Sequence, residues 1–345
     1  MRFGMIGSGS WGTALVKILT QGDHRVNWCV RNDKMAAHIR KRGHNPNYLS
    51  SANLDNDLID LYTDPAEVLK GSDTVIIAVP SAYVSSILGD LTPADFSEKR
   101  VISAVKGILP DHNLLLNDHL QREFHLDLKD YFTVMGPCHA EEVAAEKLSY
   151  LTFSGTDMQT TEEIAACFRT DYINTVVNDD VYGVQFAAIL KNIYALAAGI
   201  AHGLEYGDNF LSVLIANCAD EMAVFLRRAG ARNVDVGLHA YPGDAFHKKS
   251  PNYAASVYLG DLLVTCYSPF SRNRTFGNMI GKGYSVKAAQ LELNMVAEGY
   301  NACKCIHGIN RELQAEIPIA DAIFEILWEH LPAEAGLRRI EEILI

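Results

Sequence analysis

The sequence predicts an α/β fold in which a domain with a mostly parallel sheet is followed by an all-helical domain. Two observations predict it. In the first half, short apolar runs alternate with helical patterns, which is typical of parallel strands covered by helices on both faces. After about residue 180 the strand signals nearly vanish and helical periodicity takes over. We therefore expect two domains, residues 1–180 and 181–345.

The predicted strands of the first domain are apolar runs bounded by turns or helical patterns. Five of them come first, at residues 2–6, 25–30, 74–79, 100–104 and 131–135. Helix-like stretches such as residues 11–21 and 65–70 lie between them. Two further β-like runs follow at residues 148–153 and 173–178.

The second domain is predicted from apolar residues that share a helical face and from the signals that end the helix. One such face comprises Leu211, Leu214, Ile215, Cys218, Met222, Phe225 and Leu226. Gly230 supplies a stop, and Pro318 opens another amphipathic stretch. Residues 233–258 are rich in Gly, Pro, His and Tyr, and we interpret them as a long loop or insertion.

The composition limits the partners of the protein. Lys and Arg number 30 against 42 Asp and Glu, and the resulting net charge of −12 argues against a nucleic-acid-binding protein. Seven cysteines without a CxxC motif predict reduced thiols in a cytoplasmic protein, and we expect no metal site. The N-terminus lacks a signal-peptide pattern. The longest apolar stretch, residues 181–204, contains Lys191, Asn192 and His202, so we expect no membrane span.

The strongest local motif is Gly7-Ser8-Gly9-Ser10-Trp11-Gly12, which follows the first predicted strand and opens a helix. Its glycines permit a tight turn, approach of the backbone to a pyrophosphate, and close packing of the helix on the sheet. The helix N-terminus then offers N–H groups to phosphates. The motif predicts a Rossmann-type dinucleotide site, and a purely structural glycine turn is the alternative.

Arg31 bears on the choice of dinucleotide, because it follows the second predicted strand. An NAD-selective site usually has an acid about 20 residues past the turn. A guanidinium there can instead stack on adenine and pair with a 2′-phosphate. We therefore expect NADP to be accepted. The neighbouring Asp33 is an acid of the kind that NAD-selective sites use, so NAD stays an alternative cofactor. The alternative is a solvated arginine without a role.

Two lysines lie at positions that suit ligand binding or acid–base catalysis. Lys106 comes just past the C-terminal end of a strand, where ligands bind in open α/β sheets. Lys191 lies in a nearly continuous apolar helix among small residues, and desolvation there favours the neutral amine that a general base needs. Asn192 is expected to orient it. The alternative is that Lys191 extends its ammonium to the surface.

Two further segments combine polar groups at close spacing. Residues 135–142 end a strand and start a helix, so that their N–H groups can face a substrate or the nicotinamide. Asp261 precedes the segment Ser271-Arg272-Asn273-Arg274, which is suited to binding an oxyanion or a phosphate. Asp261 can orient a lysine or a substrate hydroxyl. A solvated polar loop is the alternative for this segment.

Eight pieces of the chain together resemble the bacterial type of NAD(P)-dependent glycerol-3-phosphate dehydrogenase. In order, they are GSGSWGTAL (7–15), VIIAVPS (75–81), VKG (105–107), GPCHAEE (136–142), LKN (190–192), LGDLLVTC (259–266), SRNRTFG (271–277) and VAEGY (296–300). The resemblance covers essentially the whole chain. It implies interconversion of glycerol 3-phosphate and dihydroxyacetone phosphate with NAD or NADP, supplying glycerol 3-phosphate for phospholipid synthesis.

The resemblance also implies a role for individual residues. Lys191 would accept the proton of the C2 hydroxyl, and Lys106 would contact both cofactor and substrate. The dinucleotide would be lined by Gly7, Gly9, Ser10, Trp11, Gly12, Arg31, Ala140, Arg272, Val296 and Glu298. The substrate would be held by Gly136, Cys138, Asp261, Ser271, Arg272 and Asn273.

The chain departs from the family pattern at three places. Cys138 stands where the family usually has Ser or Thr, and a thiol is the weaker hydrogen-bond donor, so we expect contact there through the backbone. Tyr258 replaces a familiar glycine. Residues 233–257, with Lys248 and Lys249, look longer than the family segment and are either a lid, a partner surface or a tolerated insertion.

Other functions stay open at this point. One is a related two-domain dehydrogenase that acts on another hydroxy acid or sugar acid, because related enzymes use similar lysines. Another is a non-catalytic dinucleotide-binding sensor, which would not need two lysines in such surroundings. The sequence does not decide the oligomeric state, and a homodimer is one alternative.

Overall fold

The computed structural model describes residues 1–231, 254–293 and 297–344. The chain divides into two compact units. The first comprises Met1–Val105 and Leu109–Val181, and the second comprises Lys106–Ile108 and Tyr182–Ile345. Residues 233–253 of the expected insertion, including Lys248 and Lys249, lie outside the described residues.

A mixed sheet forms the centre of the first unit. Its described strands are β1 (Phe3–Ile6), β2 (Val26–Cys29), β3 (Ile59–Tyr62), β4 (Thr74–Ile77), β5 (Arg100–Ser103), β6 (Tyr131–Met135), β7 (Ser149–Gly155) and β8 (Ile173–Asn178). They are ordered β3-β2-β1-β4-β5-β6-β7-β8, and only the β6–β7 pairing among them is antiparallel. The predicted Rossmann-type fold with a mostly parallel sheet is thus confirmed.

Helices cover both faces of this sheet. They are α1 (Ser10–Gln21), α2 (Asp33–Arg42), α3 (Pro65–Lys70), α4 (Ser81–Leu88), α5 (Leu116–Phe124), α6 (Ala140–Ala144) and α7 (Met158–Ala166). Two hydrophobic clusters result, and successive residues of one strand alternate between them, because side chains of a strand point to opposite faces. In β4, Ile76 packs in the cluster that contains α1, whereas Val75 and Ile77 pack in the other.

The second unit is helical, as predicted. Its described helices are α8 (Val181–Gly203, whose first residue belongs to the first unit), α9 (Asp208–Arg228), α10 (Asp261–Tyr267), α11 (Arg272–Gly281), α12 (Val286–Leu293), α13 (Glu298–Leu313), α14 (Pro318–Trp328) and α15 (Ala333–Ile343). A π-helical turn, Ala254–Gly260, precedes α10. By length and composition α8 and α9 could each cross a membrane, but the most apolar window of α8 is entirely buried, as in the core helix of a globular protein.

Helices α8 and α11 touch through their backbones. A Cβ added at Gly199 would lie 2.1 Å from the carbonyl oxygen of Arg274, and one added at Gly277 would lie 2.2 Å from that of Leu196. Real side chains do not tolerate such distances, so only glycine allows this approach. The contact holds the polar start of α11 against the helix that contains Lys191.

A buried carboxylate joins α9 to α14. Glu221 accepts hydrogen bonds from the backbone N–H groups of Ile319 (2.7 Å) and Ala320 (2.9 Å), in the first turn of α14. Burial raises the pKa of Glu221 to about 8, although these two hydrogen bonds favour the charged form. In the unfolded chain the same group has the ordinary value of 4.5.

This difference predicts how stability depends on pH. Between about 4.5 and about 8 the unfolded chain binds fewer protons at Glu221 than the folded protein, so this group makes the free energy of unfolding fall as pH rises. We expect the stability advantage of the wild type over E221Q to decrease across this window, measured by urea denaturation at its two ends. The matched control is D220N, which changes an exposed neighbouring carboxylate. A pH-independent difference between wild type and E221Q would contradict the assignment.

Candidate functional site

The glycine-rich turn of the first unit joins β1 to α1. Gly7 has φ +126°, and a Cβ there would lie 2.4 Å from the carbonyl oxygen of Ala78. A Cβ at Gly12 would lie 2.4 Å from the carbonyl oxygen of Gly7, so the helix packs directly on the turn. Around Gly9, in contrast, a Cβ would meet nothing within 4 Å. The turn is therefore tight on the protein side and has open space at its middle glycine, as an approaching pyrophosphate requires.

Three successive carbonyl groups of this turn are bound by side chains. Trp28 donates its ring N–H to the oxygen of Gly7 (2.9 Å), and Asn45 donates to the oxygen of Ser8 (3.0 Å). The hydroxyl of Thr13 donates to the oxygen of Gly9 (2.9 Å). These bonds fix the carbonyl side of the turn, while α1 begins directly after it at Ser10, and the first N–H groups of a helix are not bound by the helix itself. Such N–H groups suit a phosphate.

Arg31 lies at the same edge of the sheet as this turn, because β1 and β2 are parallel neighbours. Its side chain is exposed. Asn32 follows it and caps α2 by accepting the N–H of Met35 (3.0 Å), and Asp33 is the first residue of that helix. The backbone that follows Arg31 is therefore fixed by the start of α2, while the exposed guanidinium can reach a ligand.

The turn between β6 and α6 also belongs to the first unit. Gly136 has φ +128°, and a Cβ there would lie 2.6 Å from the carbonyl oxygen of Tyr150. Cys138 is buried, and both its N–H (2.9 Å) and its thiol (3.3 Å) donate to the carbonyl oxygen of Gly136. Ala140 is buried at the start of α6. Both donors of Cys138 thus bind within the turn, and the contact of Cys138 with a substrate stays a prediction.

Lys191 forms an ion pair with Asp261 in the second unit. The lysine is 3% exposed and the aspartate, at the start of α10, is 2% exposed. The ammonium therefore does not extend to the surface. Charged groups lose several kcal/mol each on leaving water, so a buried pair of this kind marks a candidate functional site.

The residues next to this ion pair are buried as well. Cys266 lies nearby and is completely buried, and burial raises the pKa of its thiol to about 12, although the charge of Lys191 acts in the opposite direction. Thr265 directs its hydroxyl to the carbonyl oxygen of Asp261 (2.6 Å) within α10. In such surroundings a paired amine can hold a proton and release it to a group that develops negative charge.

The start of α11 combines a helix N-terminus with cations. Ser271 caps the helix by accepting the N–H of Arg274 (3.3 Å), so its hydroxyl oxygen is directed at the backbone. Arg272 is exposed. The Nε of Arg274 is buried and has no hydrogen-bond partner among the described residues. An anion at this helix end would meet N–H groups together with a guanidinium.

Two buried amides connect Lys106 to the start of α13. Asn192 donates to the carbonyl oxygens of Lys106 (3.2 Å) and Ala188 (3.1 Å). Asn273 donates to the side-chain oxygen of Asn192 (2.9 Å) and accepts the N–H of Gly299 (3.0 Å). Glu298, the residue before Gly299, is half-buried at the first position of α13. Val296 lies outside the described residues.

The structure thus groups the predicted residues in two sets. The first unit holds the dinucleotide candidates Gly7, Gly9, Ser10, Trp11, Gly12, Arg31 and Ala140, together with Gly136 and Cys138. The second unit connects Lys106 with Asn273 and pairs Lys191 with Asp261. The turn is also supported by Trp28, Asn45 and Thr13, which were not predicted because nothing in their local sequence pattern signals a contact with it.

Comparison with known proteins identifies relatives over nearly the whole chain. Family models described as NAD-dependent glycerol-3-phosphate dehydrogenase match at residues 2–161 for the N-terminus and 180–338 for the C-terminus. The glycerol-3-phosphate dehydrogenase [NAD(P)+] of Bacillus velezensis is 31% identical over 97% of this chain and 92% of that protein. The glycerol-3-phosphate dehydrogenase [NAD(P)+] of Bacillus anthracis is 31% identical over 94% of this chain and 90% of that protein. The crystal structure of glycerol-3-phosphate dehydrogenase from Coxiella burnetii superimposes with a TM-score of 0.87 and 25% identity, covering 99% of this chain and 98% of that one.

Proposed function

This chain belongs to the NAD-dependent glycerol-3-phosphate dehydrogenase family, and from that premise we propose that it interconverts sn-glycerol 3-phosphate and dihydroxyacetone phosphate with NAD or NADP. The resemblance found in the sequence is confirmed by these matches. The structural observation that carries the proposal is the buried ion pair of Lys191 and Asp261.

The residues of the first unit fit a dinucleotide. The open space at Gly9 and the N–H groups of Ser10 and Trp11 would hold its pyrophosphate, and Arg31 would meet its adenosine end. Bound NAD or NADP supplies the hydride acceptor for oxidation of the alcohol and the hydride donor for the reverse reaction. Trp28, Asn45 and Thr13 keep the turn in its binding conformation.

Lys191 would donate and accept the proton of the reaction. When the C2 carbonyl is reduced, the developing alkoxide takes a proton from the Lys191 ammonium, and in the oxidation the neutral amine takes it back from the C2 hydroxyl. The ion pair with Asp261 is the state that is ready to donate. Lys106 would add positive charge beside the same oxygen and stabilise it as charge develops.

The substrate phosphate would bind at the start of α11. Arg272 and the N–H groups of the first turn provide charge and hydrogen-bond donors there. Ser271 would act mainly by capping the helix. Gripping the phosphate, which does not react, positions the carbon that does. Contacts of Gly136 and Cys138 with the glycerol phosphate stay predictions that rest on the resemblance.

The cellular setting is part of the proposal. All seven cysteines lie within the described residues and are free thiols, which supports a reducing, cytoplasmic location. The product of the reductive direction would supply phospholipid synthesis. A homodimer stays a prediction.

Replacing Lys191 tests the proton transfer. General acid–base catalysis contributes about 100- to 10,000-fold, so we expect K191M to lower kcat for dihydroxyacetone phosphate reduction by a factor in that range. The double variant K191M/D261N removes the unpaired buried carboxylate and protects the fold. Initial rates of NADH and NADPH oxidation provide the measurement.

The matched control is K17M. Lys17 is also a buried lysine with a carboxylate partner, Glu146 at 2.6 Å, but it lies in the second half of α1 in the first unit. We expect its kcat to stay close to the wild-type value. A folded K191M variant with normal turnover would refute the assignment of Lys191.

Replacing Arg31 tests cofactor recognition. A charge-assisted hydrogen bond contributes about 1.5–3 kcal/mol, so R31A should raise the KM for NADPH by about tenfold or more and change the KM for NADH less. R25A is the control, because Arg25 is an exposed arginine beside the opposite end of β2. Equal changes for both cofactors would rule out a contact of Arg31 with the 2′-phosphate.

A further inference from the structure

The two buried asparagines of the second unit form a continuous hydrogen-bonded chain between backbone groups. The chain runs from the N–H of Gly299 through Asn273 and Asn192 to the carbonyl oxygen of Lys106. Asn192 is 5% exposed and Asn273 is 7% exposed. The linked residues are 26, 81 and 86 positions apart in sequence, so these hydrogen bonds connect four separate segments of the second unit.

The backbone groups at its ends fix the direction of every bond. The N–H of Gly299 can only donate, so Asn273 must present its oxygen there and its NH2 group to Asn192. Asn192 must then accept with its oxygen, which turns its own NH2 group to the carbonyls of Lys106 and Ala188. Flipping either amide would oppose two donors or two acceptors, so each amide has one allowed orientation.

Close packing prevents the residues that form this chain of hydrogen bonds from shifting. Gly299 lies so near α8 that a Cβ there would be 2.6 Å from the carbonyl oxygen of Asn192. The backbone contact of Gly277 with Leu196 fixes α11, which contains Asn273, against the same helix. Both amides are therefore attached to backbones that have little room to move.

We propose that Asn192 and Asn273 act as a positioning relay that holds the backbone of Lys106, so that its ammonium meets the substrate oxygen in one place. Asn192 acts through Lys106, and Asn273 acts through Asn192. The inference rests on the proposed function, because it assigns Lys106 a part in that reaction. It differs from the role that the resemblance implies for Asn273, which is direct contact with the substrate.

The isosteric variants N192D and N273D test the direction of the relay. An aspartate at either position keeps the shape but, when ionised, cannot donate to the next carbonyl or amide oxygen. A displacement of about 1 Å can cost about 100-fold in rate, so we expect kcat for dihydroxyacetone phosphate reduction to fall by about 10- to 100-fold in each variant. The double variant should lose no more than either single one, because both break the same chain. As pH falls, the protonated N192D carboxyl can donate again, and its kcat relative to wild type should rise.

The decisive comparison adds each change to K106A, with thermal unfolding as a check that all variants are folded. If the relay acts through Lys106, N192D and N273D cause little further loss of kcat in K106A. A loss of the same size in K106A and in wild type, or a rise in KM alone for N273D, would overturn the relay and leave the proposed function standing. A folded wild type that does not reduce dihydroxyacetone phosphate would overturn both.

Discussion

The ion pair between Lys191 and Asp261 is the constraint that organises the second unit. Two charges shielded from water are costly, so the protein must hold them at contact and supply rigid surroundings. The long apolar helix α8 provides those surroundings, and the glycine contacts with α11 hold the start of α11 against the same helix. Because the amine is paired in a dry environment, a small change in its neighbourhood, such as an approaching alkoxide, can determine where the proton lies.

The glycine-rich turn of the first unit has a different requirement. To bind the phosphates of a dinucleotide, as proposed, it must direct N–H groups and not carbonyl oxygens toward them. The tight turn at Gly7 alone would leave both kinds of group near a ligand. Trp28, Asn45 and Thr13 solve this by binding three successive carbonyls. The result is a turn whose carbonyl groups are bound by side chains, which suits the proposed binding of an anion at its N–H groups.

The sequence predicts the repeating parts of the fold well and the long-range contacts poorly. Alternating apolar runs identify most strands because burial imposes a local pattern, but β3 (Ile59–Tyr62) went unrecognised because Asp60 interrupts its apolar run. Lys106 lies in the sequence of the first domain, yet Lys106–Ile108 belongs to the second compact unit. The hydrogen bond that ties it there comes from Asn192, a residue 86 positions away, and no periodicity encodes such a pair.

The most direct test of the ion pair is the pH–rate profile of glycerol 3-phosphate oxidation by D261N beside that of the wild type. Asparagine keeps the shape of Asp261 but removes the charge that stabilises the Lys191 ammonium. If Lys191 is the base, as we propose, its neutral amine should then be present at lower pH, so the acidic limb of the profile should move to lower pH while the maximal kcat falls. Superimposable profiles with equal kcat would show that this ion pair does not control the proton of the reaction.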